Sequence, residues 1–273
     1  MSNDPQDRHA AKTGDAAKSG RPRGRLGKVL LALVGLVLFA VFLALGVWQL
    51  ERRVWKLNLI AAVNERVAAA PIAAPGPDAW PSLSFDGDEY RHVSVSGSFE
   101  KGKSVFVQAT TDYGGGFWLV TPLRDQRGFT VLINRGFVPS RDFPADRGLS
   151  GASTEVTGLL RMSQPGGAFL RSNDPAAGRW YSRDVEAIAA AKDVAGPVAP
   201  YFVDAGSPLE RPPLPNAEMG APPPGTVSYP VEGLTRTTFR NQHLQYALTW
   251  FALAGLVVVA AVIVVRNDRR RRA

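Results

Sequence analysis

Two long apolar segments constrain this chain more than any other feature of its sequence. Residues 29–50 and 243–265 contain no Asp, Glu, Lys or Arg. A helix needs about 20 apolar residues to cross the hydrocarbon core of a bilayer. Both segments reach that length, so the sequence predicts transmembrane helices at 29–50 and 243–265. The region between them, residues 51–242, is then a separate domain outside the bilayer.

The first segment has two other interpretations, a cleaved signal peptide and a mitochondrial presequence. Its apolar run is longer than the core of about 7–15 residues that signal peptides usually have. A basic and aromatic stretch, WQLERRVWK, closes it and continues beyond it. Asp4, Asp7 and Asp15 lie where a presequence avoids acidic residues. We therefore expect the segment to remain as a membrane anchor.

The positive charge of the chain lies at its two ends. The net charge is +8, of which residues 1–28 and residues 266–273 carry +4 each. The region between them is neutral, which argues against a nucleic-acid-binding face. The positive-inside rule predicts that 1–28 and 266–273 are basic cytoplasmic tails and that 51–242 is extracytoplasmic. In a bacterium this means the plasma (inner) membrane with a periplasmic central domain; the alternative location is the mitochondrial inner membrane.

The composition excludes several kinds of chemistry. The chain contains no cysteine, which removes disulfides, thiolate metal sites and cysteine nucleophiles. Its three histidines are too few to favour a zinc centre built from several imidazoles. The sequence also contains no Walker loop, dinucleotide fingerprint, HExxH or GxSxG motif. We therefore expect a protein that is not an enzyme.

The central region has the alternating pattern of β-strands. Residues 90–99 place Val93, Val95, Gly97 and Phe99 on one face. Further strand-like runs lie at 104–109, 117–123, 129–138, 154–160 and 201–203. Helical patterns lie at 57–70 and 184–192, the second with Asp184 as its predicted cap. The predicted fold is a mainly-β domain, a small antiparallel barrel or curved sheet of about six strands with one or two short helices, flanked by two transmembrane α-helices.

Several shorter segments are expected to be loops or turns. The prolines of residues 207–230 predict an irregular loop. Gly114–Gly116 precedes a strand, which favours a loop over a phosphate-binding cradle. Asp86, Asp88 and Glu89 could hold a cation, but a solvated turn is the simpler interpretation. Gly136 and Pro139 are expected to form a turn after a strand.

Aromatic and basic residues cluster at one end of both apolar segments. Trp48, Gln49 and Arg52 end the first segment, and Arg240 and His243 begin the second. Two antiparallel spans place both groups at the same depth in the membrane. An aromatic belt with interfacial arginines is one interpretation. A ligand site is the other.

The ligand-site interpretation depends on His243. It lies in the first turn of the second helix, where the positive end of the helix and Arg240 disfavour the imidazolium form. A neutral imidazole keeps one nitrogen as an acceptor, as a metal ligand requires. Tyr246 and Trp250 could pack against a flat porphyrin, for which the small Ala247 and Gly255 leave room. Its propionates would lie near arginines, namely Arg52, Arg53, Arg236 or Arg240.

Three stretches of the sequence carry a resemblance to a known family. They contain Gly46, Trp48, Gln49, Arg52, Arg53 and Lys56; the run Asn134-Arg135-Gly136-Phe137-Val138-Pro139; and Arg240, Asn241, His243, Leu244, Gln245, Tyr246, Thr249 and Trp250. Further matches lie at Gly97, Thr121–Pro122, Tyr181–Asp184 and Asp204. In this order, between two terminal spans, they resemble the Surfeit locus protein 1 family, also called the Shy-type cytochrome c oxidase assembly factors.

The resemblance implies a role in maturing subunit I of haem–copper oxidase. As a bacterial member, the chain would bind haem a, with His243 as the axial ligand of the iron. Trp48 and Gln49 would line the same site; Tyr246 and Trp250 are further candidates, and Arg52 and Arg240 would face the propionates. The implied partners are oxidase subunit I, haem a synthase and membrane lipid, with no nucleic acid. The alternative is a membrane-anchored scaffold that clamps an oxidase subunit without binding haem.

Overall fold

The computed structural model of the protein describes residues 24–168, 170–209 and 227–273. They form two compact units. The first, which we call the helix pair, contains residues 24–53 and 242–273, and the second, the barrel unit, lies between Val54 and Asn241. The predicted N-terminal tail therefore lies largely outside the described residues, as does most of the predicted proline-rich loop at 207–230.

The helix pair is built from two long apolar helices. Helix α1 spans Arg25–Ala68 and α4 spans His243–Arg270. Their most apolar 18-residue windows have mean hydropathies of 3.0 and 2.7, and only 6% of each window is buried. A core helix of a soluble domain would be mostly buried, so these helices indicate a membrane protein. Helix α1 continues without a break through residues 54–68 of the barrel unit, which confirms the helix predicted there.

Within the helix pair, α1 and α4 run antiparallel. Lys28 pairs with Asp268 at one end of the contact, and Gln49 meets His243 at the other. Gly46 is needed for their close approach, because a Cβ there would lie 2.5 Å from the Phe251 ring. Small residues at such positions let membrane helices pack closely.

The described residues of the barrel unit form seven strands, two short α-helices and a 3₁₀ helix at Pro77–Ser82. The strands are β1 (Ile72–Ala73), β2 (His92–Phe99), β3 (Val105–Thr111), β4 (Gly114–Asp125), β5 (Thr130–Val138), β6 (Thr154–Met162) and β7 (Val198–Ala205). The short helices are α2 (Phe85–Asp88) and α3 (Val185–Ala191). Asp184 caps α3 by accepting the Ala187 N–H at 3.2 Å, as its sequence pattern predicted.

Five of the strands close a barrel in the order β2-β6-β7-β5-β4, because β4 pairs back onto β2. Strands β1 and β3 extend the sheet from β2 and β4. The predicted barrel is confirmed, although β5 and β7 pair in parallel. The alternation of apolar residues predicts which residues of a strand are buried, but it carries no information on the direction of its neighbour.

Alternation along the strands separates two apolar clusters. Val93, Val95 and Val203 belong to the cluster that fills the barrel. Leu132 and Phe202, on the opposite face of their strands, pack against α3 and its neighbours. Since side chains alternate along a strand, Asp204 shares the outer face of β7 with Phe202. The same register places Arg161, the pairing partner of Phe202, on that outer face of β6.

One predicted turn is wrong, and two are right only in part. Gly114–Gly116 lies inside β4, paired with β3, because the hairpin turn comes earlier, at Asp112 and Tyr113. Gly136 lies within β5 rather than after it, although Pro139 does follow the strand. Asp86 is exposed as predicted, but Asp88 and Glu89 are buried and each pairs with an arginine.

Candidate functional site

The helix pair brings two predicted site residues into direct contact. His243 is the first residue of α4, and its Nδ1 lies 2.7 Å from Oε1 of Gln49 on α1. A carbonyl oxygen can only accept, so Nδ1 carries the proton in this contact. In the neutral imidazole the lone pair then belongs to Nε2. A second hydrogen-bonding group that fixes the tautomer in this way is typical of histidines that ligate metals.

The other predicted site residues on these helices divide into two sets. The Trp250 ring stacks on Phe42 with 5.7 Å between ring centroids, inside the contact between α1 and α4. Trp48 and Tyr246 are instead about half exposed, at 52% and 53%. Their rings therefore offer apolar surface to whatever surrounds the helices.

The two small residues on α4 differ in their surroundings. Ala247 is completely buried, so its small side chain lies within the contact between the helices. At Gly255 no atom lies within 4 Å of the position that a Cβ would take. Arg52 is exposed near the end of the helix pair, and Arg240 is exposed in the barrel unit. Gln49 and His243 thus form the polar centre of the predicted site.

The barrel unit contains a second polar cluster centred on Asp204. Oδ1 of Asp204 accepts hydrogen bonds from Arg183 Nη1 at 2.9 Å and Asn134 Nδ2 at 2.7 Å. Oδ2 accepts from Arg161 Nη1 at 3.0 Å and Thr235 Oγ1 at 2.8 Å. Each carboxylate oxygen therefore has two donors, and four different segments of the chain meet at one side chain.

Glu89 extends this cluster. Its Oε1 accepts from Arg161 Nε at 2.6 Å, and its Oε2 accepts from the Met162 N–H at 2.7 Å. We call Glu89, Arg161, Arg183 and Asp204 the charge cluster. Two positive and two negative groups make it neutral in total, which is the usual condition for burying charges in a protein.

Burial and pairing act in opposite directions on the charge cluster. Burial alone would raise the pKa of Asp204, but Arg183, Arg161 and the two neutral donors hold it below its ordinary value. Burial lowers the pKa of Arg183, and its neighbours do not fully compensate. The neighbours of Asp204 thus stabilise its charged form, whereas the negative groups near Arg183 do not fully offset the cost of burying its charge.

Three consecutive residues of β5 each anchor a different segment. Asn134 binds Asp204, as described above, and Arg135 donates to the carbonyl oxygens of Ala145 and Arg147 at 2.6 and 2.5 Å. Gly136 has φ +121°, and a Cβ there would lie 2.4 Å from the carbonyl oxygen of Val231. The stretch 134–139 therefore has a structural role, because it ties two loops to the barrel.

Sequence reasoning did not assign the charge cluster to a site. Arg161 and Asp204 each follow apolar residues within a strand, in GLLRM and YFVDA. A charged residue inside such an apolar run is the local pattern that could have indicated a buried charge. Arg183 and Asp204 also lie in stretches that carry the family resemblance. Their partners are far apart in the chain, for example 70 residues between Asn134 and Asp204, so no short motif contains the cluster.

Comparison with known proteins identifies the family. A model described as the SURF1 family matches residues 36–255. Surfeit locus protein 1 of Mus musculus is 33% identical over 239 residues, which cover 81% of this chain and 71% of the relative. The Homo sapiens protein of the same name is 32% identical, with 77% and 69% covered. The SURF1-like protein of Drosophila melanogaster is 30% identical, with 88% and 77% covered.

The family match spans the whole barrel unit, most of α1 and the first half of α4. It includes the stretches 46–56, 134–139 and 240–250, in which the resemblance was found, and both polar centres described above. With two helices of membrane-spanning length around a mainly-β barrel, this chain belongs to the SURF1 family.

Proposed function

We propose that the protein is a membrane-anchored assembly factor for haem–copper (cytochrome c) oxidase that binds haem a through His243. Membership of the SURF1 family supports the assembly role, since the resemblance to this family implies it. The contact of 2.7 Å between His243 Nδ1 and Gln49 Oε1 carries the haem proposal, because it directs the imidazole lone pair to Nε2.

The residues near His243 fit the chemistry of haem. A histidine nitrogen is a common axial ligand of haem iron. The half-exposed rings of Trp48 and Tyr246 supply apolar surface for a macrocycle. Arg52, which follows Gln49 by three residues on α1, is an exposed cation suited to its propionates.

The residues of the chain would act by binding and orienting the haem, which is cargo for oxidase subunit I. When bound, it supplies an iron that accepts the His243 lone pair. Gln49 holds the imidazole in one tautomer and one orientation. The stacking of Trp250 on Phe42 keeps α4 in place beside α1, so that His243 stays against Gln49.

The antiparallel helices also support a topology. Lys28 and Arg266 lie towards the same end of the helix pair, and four more arginines follow at 269–272. By the positive-inside rule this end is cytoplasmic, in a bacterial plasma membrane, and the barrel unit is periplasmic. There it would meet the extracytoplasmic surfaces of its partners, which we propose to be oxidase subunit I and haem a synthase.

The proposal is tested by the absorption spectrum of the full-length protein purified from cells that make haem a. We expect a Soret band in the wild type, its loss in His243→Ala, and a reduced band in Gln49→Leu. His92→Ala is the matched control, since His92 lies in the barrel unit with Nδ1 2.8 Å from the Ala69 carbonyl oxygen. Circular dichroism of each variant checks that the helices and strands are retained.

An unchanged Soret band in folded His243→Ala would remove the haem role. The protein would then be a scaffold that clamps an oxidase subunit, with the residues around His243 acting only in membrane anchoring. Loss of the band in His92→Ala as well would show that the substitutions act through folding.

A further inference from the structure

A cavity of about 470 Å³ lies in the barrel unit, beside the charge cluster. Its wall includes Tyr90, Trp118, Arg161, Arg183, Leu234 and Phe239. This volume lies within the range of about 300–1,000 Å³ that small-molecule sites occupy. The wall combines aromatic and aliphatic side chains with charged and hydroxyl groups, so it suits a ligand that has both a polar and an apolar part. The cavity is therefore a candidate binding site, and the chemistry of its wall indicates the ligand.

The carboxylates of the charge cluster are already saturated with donors. Both oxygens of Asp204, which lines the cavity, accept two hydrogen bonds each, and both oxygens of the neighbouring Glu89 accept one. The other acidic residue of the wall, Asp112, pairs with Arg236. A cation bound at the charge cluster would have to displace one of these internal bonds, so this part of the cavity favours an anion.

The arginines, in contrast, retain donors. Arg161 uses Nε and Nη1, and Arg183 uses Nε and Nη1, but Nη2 of neither donates to any residue that the structure describes. Both arginines line the cavity. The lowered pKa of Arg183 agrees with a guanidinium short of negative partners. Two guanidinium groups therefore present hydrogen-bond donors to the same space.

Aromatic rings hold these guanidinium groups in place. Arg161 lies 4.7 Å from the centroid of Tyr90, and Arg183 lies 5.7 Å from that of Trp118. Phe239 packs against Tyr90 with centroids 6.3 Å apart. Tyr90 has φ +66°, a conformation that bulky residues rarely adopt, so the fold holds this ring in place against a local backbone preference.

We propose that this cavity binds an organic anion, with carboxylate or phosphate oxygens on Nη2 of Arg161 and Arg183 and an apolar body against Trp118 and Phe239. The planar fork of arginine matches both kinds of oxygen group. Arg236, with a 74% exposed side chain, adds a cation at the cavity surface and pairs with Asp112 at 3.4 Å. The site lies wholly within the barrel unit and does not depend on haem binding at His243.

The test is calorimetric titration of the full-length protein in detergent micelles with phenyl phosphate, 4-phenylbutyrate and inorganic phosphate. The neutral 4-phenylbutyramide is the control for the charge. We expect the two phenyl anions to bind at least tenfold more tightly than the amide. Equal binding of inorganic phosphate and phenyl phosphate would identify free phosphate as the occupant, whereas weaker binding of inorganic phosphate supports an apolar body.

Two variants locate the site. Thr110→Phe places a ring at an exposed strand residue that lines the cavity, and we expect it to weaken anion binding at least tenfold. Thr154→Phe is the matched control, an exposed strand threonine that does not line the cavity, and should bind as the wild type does. Arg183→Lys keeps the charge but loses the fork, so a fivefold or greater loss is expected.

Three results would overturn the proposal: no binding of any anion, equal binding of the amide, or unchanged affinity in Thr110→Phe. If Arg183→Lys fails to fold, Thr110→Phe decides the question, since it leaves the charge cluster intact. His243→Ala should retain anion binding, so failure of this site and failure of the haem site give different results.

Discussion

The helix pair and the barrel unit use polar side chains in opposite ways. In the helix pair a single described contact joins the polar side chains of Gln49 and His243, on two helices that are otherwise mainly apolar, since charged groups are costly in lipid. In the barrel unit Asp204 collects four donors from β5, β6 and two loops. The first arrangement joins two side chains, whereas the second joins four segments of the chain through charged groups.

This difference determines what a substitution does. Substitution of His243 removes the imidazole but leaves the contact between α1 and α4, because that contact depends on apolar packing and on Gly46. Loss of Asp204 leaves two buried guanidinium groups without their main counter-ion. The helix pair should therefore tolerate changes at its polar centre better than the barrel unit does.

The largest effect is expected from Asp204→Ala. Removing one partner of a buried ion pair typically costs about 3–5 kcal/mol, because the remaining charge is buried without compensation. Denaturant unfolding followed by circular dichroism in the β region measures the change. The control is Asp174→Ala, which removes an exposed pair with Arg179 and should change the stability much less. Similar losses in both variants would show that burial of the charge cluster does not make it important for stability.

A somewhat smaller loss is expected from Gly136→Ala. The residue has φ +121°, and its Cβ would meet the Val231 carbonyl at 2.4 Å, so we expect a loss of about 3 kcal/mol in the same assay. Gly115→Ala is the control within the same sheet, since nothing lies within 4 Å of its Cβ position. A wild-type unfolding midpoint for Gly136→Ala would show that the two strands need not approach so closely.

In the helix pair, Gly46→Ala should cost about 1 kcal/mol, because the Phe251 ring can move to admit a methyl group. The chain has no cysteine, so a pair introduced at Lys28 and Asp268 reports on helix association through disulfide formation. We expect slower cross-linking in Gly46→Ala than in Gly35→Ala, whose Cβ position is open. Equal rates would mean that Gly46 does not limit the approach of the helices.

The smallest effect concerns pH. The pKa of Asp204 is below its ordinary value of 3.8 in the folded protein, so its stabilising contribution is present above about pH 4. It is lost as the pH falls through the folded value. The difference in unfolding free energy between the wild type and Asp204→Asn should therefore shrink from pH 6 to pH 3. A constant difference would show that the charge of Asp204 is not what stabilises the cluster.

Much of the fold could be predicted from the sequence, because it depends on local patterns. Apolar length identified α1 and α4, and alternation identified the strands from β2 to β7. The acidic cap at Asp184 marked the start of α3. The two-residue β1 has no such pattern, since it is held only by pairing Ile72 and Ala73 with β2.

The polar centres were only partly predictable. His243 was predicted from its position in the first turn of an apolar helix and Gln49 from the family resemblance, and the structure places the two side chains in contact. The contact between Asp204 and Arg161 joins residues that are 43 positions apart and belong to different strands. Such a contact depends on strand order and register, which alternation alone does not determine. Gly136 was predicted to lie in a turn for the same reason. Glycine is needed there because the carbonyl of Val231, on a distant segment, leaves no room for a Cβ.

The attachment of Val231 has a practical consequence. Phe137 and Val231 exchange two backbone hydrogen bonds of 2.9 Å, and Gly233 donates to the Ala205 carbonyl oxygen at 3.0 Å. Backbone bonds thus hold the chain to the barrel both in β7 and again from Val231 onward. The part of the chain that begins at Val231 is therefore expected to stay on β5 even when its covalent connection to β7 is cut, so that the two fragments copurify.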